Sequence, residues 1–353
     1  MLEALLILAG TTLLLLAISD FVTTAFVPTG EGKITALVGR FVYRTMFRSA
    51  SYRGRSAVLN YVGLMTIFTL LTVWVALLWA GFSLIYLSDE NSVLVGSDKS
   101  PTDAFEKIYH VGYTLSTLGI GDYVPGSNFW RIFTSFTSFV GLITITMSIT
   151  YLVPVISSAI HKRSLSLQIG SLGETPEEIV INSFNGKDFS NIEGVIGSLS
   201  TEIFLYTQNQ VAYPILHHMH SSNPSENIVL KLAALDEAMT ILTLHVPDEL
   251  QPNKLQVQLV RRAITAYLKT VVYMKPAAEQ PPLPRFHIIE DYTQVSLQRT
   301  EDPHRREVYQ LLDQRRRLFF ADIQNGGWTW EDMHGEKYVS DLDITHNNTL
   351  VKS

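Results

Sequence analysis

The sequence predicts an all-α membrane protein whose first half is apolar and whose second half forms a mainly helical soluble domain. Three observations carry this. Three runs within residues 1–160 are apolar over roughly the 20 residues a helix needs to cross a bilayer. Charge is divided unevenly: residues 1–160 hold nine basic and nine acidic residues, whereas the rest of the chain holds 18 basic and 24 acidic. Beyond Arg163, apolar residues recur at helical spacing in stretches separated by prolines.

The first span runs from about Ala4 to Val27 and is interrupted by Asp20. The second, about Ala57 to Leu87, and the third, about Ile132 to Ile160, contain no charged residue. Lys33, Arg40, Arg44, Arg48, Arg53 and Arg55 lie between the first two spans, and His161-Lys162-Arg163 ends the third. Basic flanks stay in the cytoplasm. The expected topology is therefore a multi-pass protein of the cell membrane, with the N-terminus and the loop Ser88–Trp130 outside and the C-terminus cytoplasmic. Ile34–Arg48 has helical apolar spacing with arginines on one flank, which fits an interfacial helix at lipid headgroups or an ordinary basic loop.

The loop between spans two and three begins polar, from Asp89 to Ser100, and continues Pro101-Thr102-Asp103-Ala104-Phe105. Ser100 is placed to cap a helix with Pro101 at its first position, running to about Ser116. Such a helix is too short to span. A short helix and a Gly-rich stretch between two spans predict a re-entrant loop, which survives at membrane depth only when buried in protein or lining a water-filled path.

After the third span, Thr175 is a plausible cap for a helix opening on Pro176-Glu177-Glu178. Helical periodicity follows in about Phe189–Leu216, Glu226–Leu244, Lys254–Val272 and His304–Ile323. Ala277–Pro284 is a Pro-rich connector, Phe286–Leu297 fits short strands or loop, and the stretch from Asn325 is a polar tail carrying Gly-Gly-Trp-Thr-Trp. The chain has no cysteine, which excludes disulfides and thiolate metal sites. Met1-Leu2-Glu3 lacks the basic start of a signal peptide. The acidic second half argues against a nucleic-acid partner.

Chemistry concentrates in Thr114-Leu115-Ser116-Thr117-Leu118-Gly119-Ile120-Gly121-Asp122. Glycine adopts left-handed backbone angles at little cost. Placed at alternate positions, Gly119 and Gly121 allow successive carbonyls to point the same way, and the Thr117 hydroxyl adds a further oxygen. This stretch resembles the filter signature of the potassium channel family. The likeness covers about Ala57–Ile160: an outer span, a pore helix carrying Tyr109, His110, Tyr113 and Thr114, then Asp122, Pro125 and an inner span with Gly141 nineteen positions after Asp122.

The resemblance implies a tetrameric pore domain of outer helix, pore helix, filter and inner helix. Thr117, Leu118, Gly119, Ile120 and Gly121 would coordinate dehydrated potassium ions with rings of backbone carbonyls. Asp122, Tyr109, His110 and Tyr113 would support the filter, and Gly141 would be a gating hinge. Pro154, which removes a helix hydrogen bond, would bend the inner helix near Thr150. Leu142, Ile145, Ile149, Thr150 and Val153 would line the cavity or pack against lipid and neighbouring helices. Ile120 departs from the common Tyr or Phe. Tyr109 and His110 stand where a Trp pair is frequent. Tyr113 stands where some members carry a Glu that pairs with the Asp, so Asp122 would be held by Tyr109, His110 or Tyr113.

The expected domains are 1–56, an N-terminal span with a basic segment; 57–163, the pore domain; 164–324, a cytoplasmic helical domain; and 325–353, a tail. Asp20 is either a functional intramembrane carboxylate or an interfacial residue. His217, His218 and His220 resemble a metal cluster or a solvated turn. Neither a nucleotide-binding Gly-rich turn nor a catalytic constellation is present, so no enzyme activity, no cofactor and no metal beyond filter potassium is expected, and the ligand of the cytoplasmic domain is left open. The leading expectation is a homotetrameric potassium-selective channel in membrane lipid. The alternatives are a weakly selective cation channel and a membrane-anchored sensor or scaffold with a vestigial pore.

Overall fold

A computed structural model describes residues 1–27, 30–49, 56–271, 275–298 and 306–333. The expected sequence from 334 to 353 lies outside the described residues. The chain divides into two compact units, one of residues 1–44, 63–157 and 212–218, the other of 45–62, 158–211 and 219–353.

In the first unit, α1 (Leu2–Phe26) and α3 (Val62–Tyr86, preceded by a 3-10 turn at Ala57–Tyr61) are helices long and apolar enough to cross a membrane. Helix α5 (Asn128–Gly170) is the third, and continues ten residues beyond the expected end of its apolar run. Small residues let α1 and α3 approach closely. A Cβ on Gly10 would lie 2.6 Å from the Gly81 carbonyl oxygen.

Helix α2 (Lys33–Ser49) buries Val38, Gly39 and Val42 and exposes Leu37 and Phe41 beside Arg40 and Arg44. Its amphipathic pattern bears out the helix rather than the loop. The buried Asp20 of α1 caps it. Oδ1 accepts from the Ile34 amide at 2.7 Å, and Oδ2 accepts from the Thr35 amide at 3.2 Å and the Thr35 hydroxyl at 2.9 Å. Trp74 of α3 donates its indole N–H to the same Oδ2 at 2.9 Å. One carboxylate thus joins three helices, and its buried charge is matched by four donors.

The second unit is built around α8 (Ile228–Leu244), buried on nearly every side. Around it pack α6 (Pro176–Ser183), α7 (Glu193–Ala212), α9 (Lys254–Thr270), α10 (Phe286–Thr293) and α11 (Arg306–Asn325). Thr175 caps α6 as expected, accepting from the Glu178 amide at 3.1 Å. The charges on α8 are paired: Asp236 takes a two-pronged contact from Arg315 at 2.6 and 3.1 Å, Glu237 meets Arg316 at 2.6 Å, and Lys231 pairs with Glu174.

Two readings of this half change. Phe286–Thr293 is a helix, not strand or loop, because Ile289 and Thr293, four apart, are its buried positions. The Gly-Gly-Trp-Thr-Trp segment is not a polar tail, since Trp328 and Trp330 are each 3% exposed and belong to the core. Among the described residues, no group of three metal-ligating side chains forms at His217, His218 and His220. The His218 ring lies against Gly39 and 5.5 Å from Tyr43, whereas His220 stacks on Trp328 at 5.9 Å.

Candidate functional site

The pore-helix segment is α4 (Ala104–Leu115). Its cap is Asp103, not Ser100. The Asp103 carboxylate accepts from the Glu106 amide at 2.8 Å while Glu106 accepts from the Asp103 amide at 2.7 Å, a reciprocal capping box. Pro101 instead sits in an isolated bridge with Leu94. On one side α4 rests on α3: Trp79 donates its indole N–H to the Ile108 carbonyl at 2.9 Å, and its ring leaves no room for a side chain at Gly112. Lys107 is buried and donates to the Asp89 and Glu90 carbonyls at 2.7 and 3.0 Å.

After α4 the chain turns. The Thr117 amide donates to the Thr114 carbonyl at 3.0 Å and the Leu118 amide to the Tyr113 carbonyl at 2.9 Å. Thr117, Gly119 and Gly121 then have φ of 59°, 57° and 86°. The left-handed residues alternate, as the glycine spacing predicts. The one at Thr117 was not foreseen, and a β-branched residue there costs roughly 1–3 kcal/mol. Residues 116–122 are exposed, and a Cβ built on Gly119 or Gly121 meets nothing within 4 Å. A recess of about 450 Å³ adjoins them, bounded by His110 and Tyr113 of α4 and by Thr134, Ser138, Phe139 and Leu142 of α5.

The residues expected to support the filter come together, but on a different partner. Tyr113 donates its hydroxyl to the Tyr123 carbonyl at 2.7 Å. Its oxygen therefore accepts from His110 Nδ1, also at 2.7 Å, which sets the His110 tautomer. Tyr109 packs its ring on Tyr113 and Tyr123, with centroids 5.2 and 6.0 Å apart. The Asp122 carboxylate accepts from the adjacent Tyr123 amide at 3.0 Å and is not the anchor of this chain. The reason is reach: a tyrosine at 113 puts its donor at the ring's far end, level with the next carbonyl along.

Tyr123 was therefore missed by sequence reasoning. Its backbone pairs with Val95 in a two-stranded antiparallel sheet, β1 (Val93–Val95) with β2 (Tyr123–Pro125), and its hydroxyl donates to Glu106 at 2.9 Å. The aromatic and β-branched residues at Val93–Val95 and Tyr123–Pro125 were the available signal, but two three-residue strands lie below what periodicity resolves. Trp130, whose indole donates to Asp89 at 2.7 Å, and Tyr86, centroid 5.0 Å from it, complete this outer layer.

Along α5, Leu142, Ile145, Ile149, Thr150 and Val153 are exposed, and Tyr151 and Val155 are buried on the opposite side. Pro154 lies within the helix. Gly141 is buried against Leu115 of α4.

A membrane protein with three candidate spans and a filter-like turn between the second and third belongs to the class of ion channels. The comparisons agree. Residues 69–158 match the family model described as ion channel. The chain is 34% identical over 331 residues to the uncharacterized membrane protein YdjJ of Bacillus subtilis (strain 168), covering 92% of this chain and 94% of that one. The chain belongs to one family with the Bacillus membrane protein, and its residues 69–158 carry an ion channel domain. No solved structure matches it.

Proposed function

We propose that the protein is a potassium-selective channel in which four copies surround one axis, with Thr117–Gly121 as the filter and the inner helices as the gate. The observation that carries this reading is the alternation of left-handed residues at 117, 119 and 121 on a face left open by the single chain. Alternating angles direct successive carbonyls to one side, the arrangement that replaces a potassium ion's hydration shell. One strand supplies a quarter of each ring, so closed fourfold symmetry completes it. The His110–Tyr113–Tyr123 chain would hold the outer end of the filter, with Tyr109 packed on it and Asp122 at its mouth. Pro154 would loosen the inner helix where its exposed apolar residues form the lower pore. The basic flanks support a cytoplasmic second unit.

Ile120 supports a second reading, a weakly selective cation channel. Its side chain is half exposed, without the aromatic ring that would pack around the filter. Reversal potentials of the reconstituted protein in opposed potassium and sodium solutions separate the two. A potassium preference of tenfold or more is expected, a ratio near one favours the second reading, and no ion flux from intact tetramers leaves a sensor with a vestigial pore. A monomer or dimer by mass in mild detergent would overturn both channel readings.

A further inference from the structure

We infer that Gly141 acts as a packing point that positions the filter from beneath, through the end of the pore helix, and not as a bending hinge. The inference rests on the reading of Thr117–Gly121 as the filter. Gly141 is buried in the first third of α5, a helix that runs unbroken from Asn128 to Gly170. A Cβ built on it would lie 2.0 Å from the Leu115 carbonyl oxygen, 2.8 Å from the carbonyl carbon and 2.9 Å from its Cα. These are backbone atoms, which cannot rotate aside as a side chain can. The Cα of Gly141 is in direct contact with the last peptide of α4, an approach open only to glycine.

That peptide has no freedom to yield. The Ser116 amide donates to the Gly112 carbonyl at 3.1 Å, and the Thr117 amide to the Thr114 carbonyl at 3.0 Å, so the turn on either side of Leu115 is closed. Nor does α4 have room to retreat. On its α3 side the Trp79 ring sits 2.9 Å from where a Gly112 Cβ would be, and Trp79 is fixed by its bond to the Ile108 carbonyl. The pore helix is wedged between an indole on one helix and a bare Cα on another. Thr117, strained at φ 59°, begins two residues beyond the contact. A methyl group at 141 must therefore displace the base of the filter.

The hinge and packing roles make opposite predictions. Alanine is the better helix former, so at a pure hinge Gly141→Ala stiffens α5 and raises or preserves heat stability. At a packing point it lowers heat stability and disturbs selectivity. The double variant Val140→Gly/Gly141→Ala returns backbone freedom to α5 but keeps the methyl group. The experiment measures the potassium-to-sodium permeability ratio, open probability and detergent Tm for the parent and both variants of the full chain. We expect Gly141→Ala to reduce the ratio at least tenfold and lower Tm, with no recovery in the double variant. An unchanged ratio and Tm with a lowered open probability that Val140→Gly restores would overturn the inference. If Gly141→Ala does not assemble alone, it is mixed with parent subunits: a ratio that falls with variant fraction supports packing, and one insensitive to it overturns packing. If the parent shows no potassium preference, the selectivity reading fails by itself, and Tm decides the packing role: lowered supports it, unchanged or raised overturns it.

Discussion

The α8-centred unit and the filter segment stand at opposite ends of how complete a structure one chain can make. Helix α8 is buried on nearly all sides, and its charged residues Lys231, Asp236 and Glu237 each find an opposite charge within the same unit. In the proposed filter segment, residues 116–122 are all exposed, with Leu118 65% and Ile120 50% accessible. The first region spends its apolar area on itself and is finished. The second holds an unfavourable backbone, including a left-handed threonine, and its residues stay exposed in the single chain. Strain without local repayment is typical of sites whose geometry serves a ligand or partner. Filter variants should therefore act on conduction, and variants of the α8 network on stability.

The largest effect is expected at the filter glycines. Gly119→Ala or Gly121→Ala places a side chain in left-handed backbone at about 1–2 kcal/mol per copy, hence about 4–8 kcal/mol across four copies. Selective potassium conduction should be lost in bilayer recordings, while the chemical denaturation of the α8-centred unit stays unchanged. If both variants conduct like the parent, the segment is not the filter. Next, Asp236→Ala removes the buried carboxylate that faces both Arg315 and Arg261. It should destabilise that unit by about 3–5 kcal/mol in denaturant titrations, with an unchanged permeability ratio in the protein that folds. A shifted ratio would break the separation between the two regions.

A smaller effect concerns Asp322, buried in α11, where burial raises its pKa to about 6 against the opposing pull of the Tyr267 hydroxyl and Lys162. A carboxyl that holds its proton more tightly when folded stabilises the fold at low pH. That contribution is complete below about pH 4 and is lost as pH rises through about 6, amounting to roughly 2–3 kcal/mol. Asp322→Asn should flatten the stability profile between pH 4 and pH 7, and an unchanged slope would assign it to another group. The smallest effect is at Tyr113→Phe, which deletes the 2.7 Å bond to the Tyr123 carbonyl. At about 1 kcal/mol for one hydrogen bond, the selectivity ratio should fall several-fold. Tyr109→Phe, which keeps the ring contacts, should leave the ratio nearly unmoved.

Several elements were legible in advance because their cause is local. The spans follow from length and absence of charge, the α6 cap from Thr175 three residues before Glu178, and the filter alternation from two glycines. The expected cap at Ser100 lies three residues before the observed one: Pro101 fits a first helical position, but the reciprocal pair Asp103 and Glu106 starts the helix. Phe286–Thr293 is eight residues of mixed polarity, too short for a period to declare itself. The two tryptophans at 328 and 330 look exposed beside Gly326, Gly327 and Thr329, and only the core built by α8 and α11 explains their burial.

By itself the sequence determined three apolar helices, a basic segment after the first, a glycine alternation between the second and third, and a self-contained helical half. Composition and short-range periodicity dictate these whatever the rest of the chain does. Only the tertiary structure decided that Asp20 caps α2 and binds Trp74, 54 positions away, and that Tyr113 reaches the carbonyl of Tyr123 rather than the side chain of Asp122. It also decided that Gly141 meets the backbone of Leu115. Each of these depends on atoms from separate elements arriving at one place. A hydrogen bond or a van der Waals contact acts over a few ångströms, so its partner is chosen by the packing of the helices and not by neighbours along the chain.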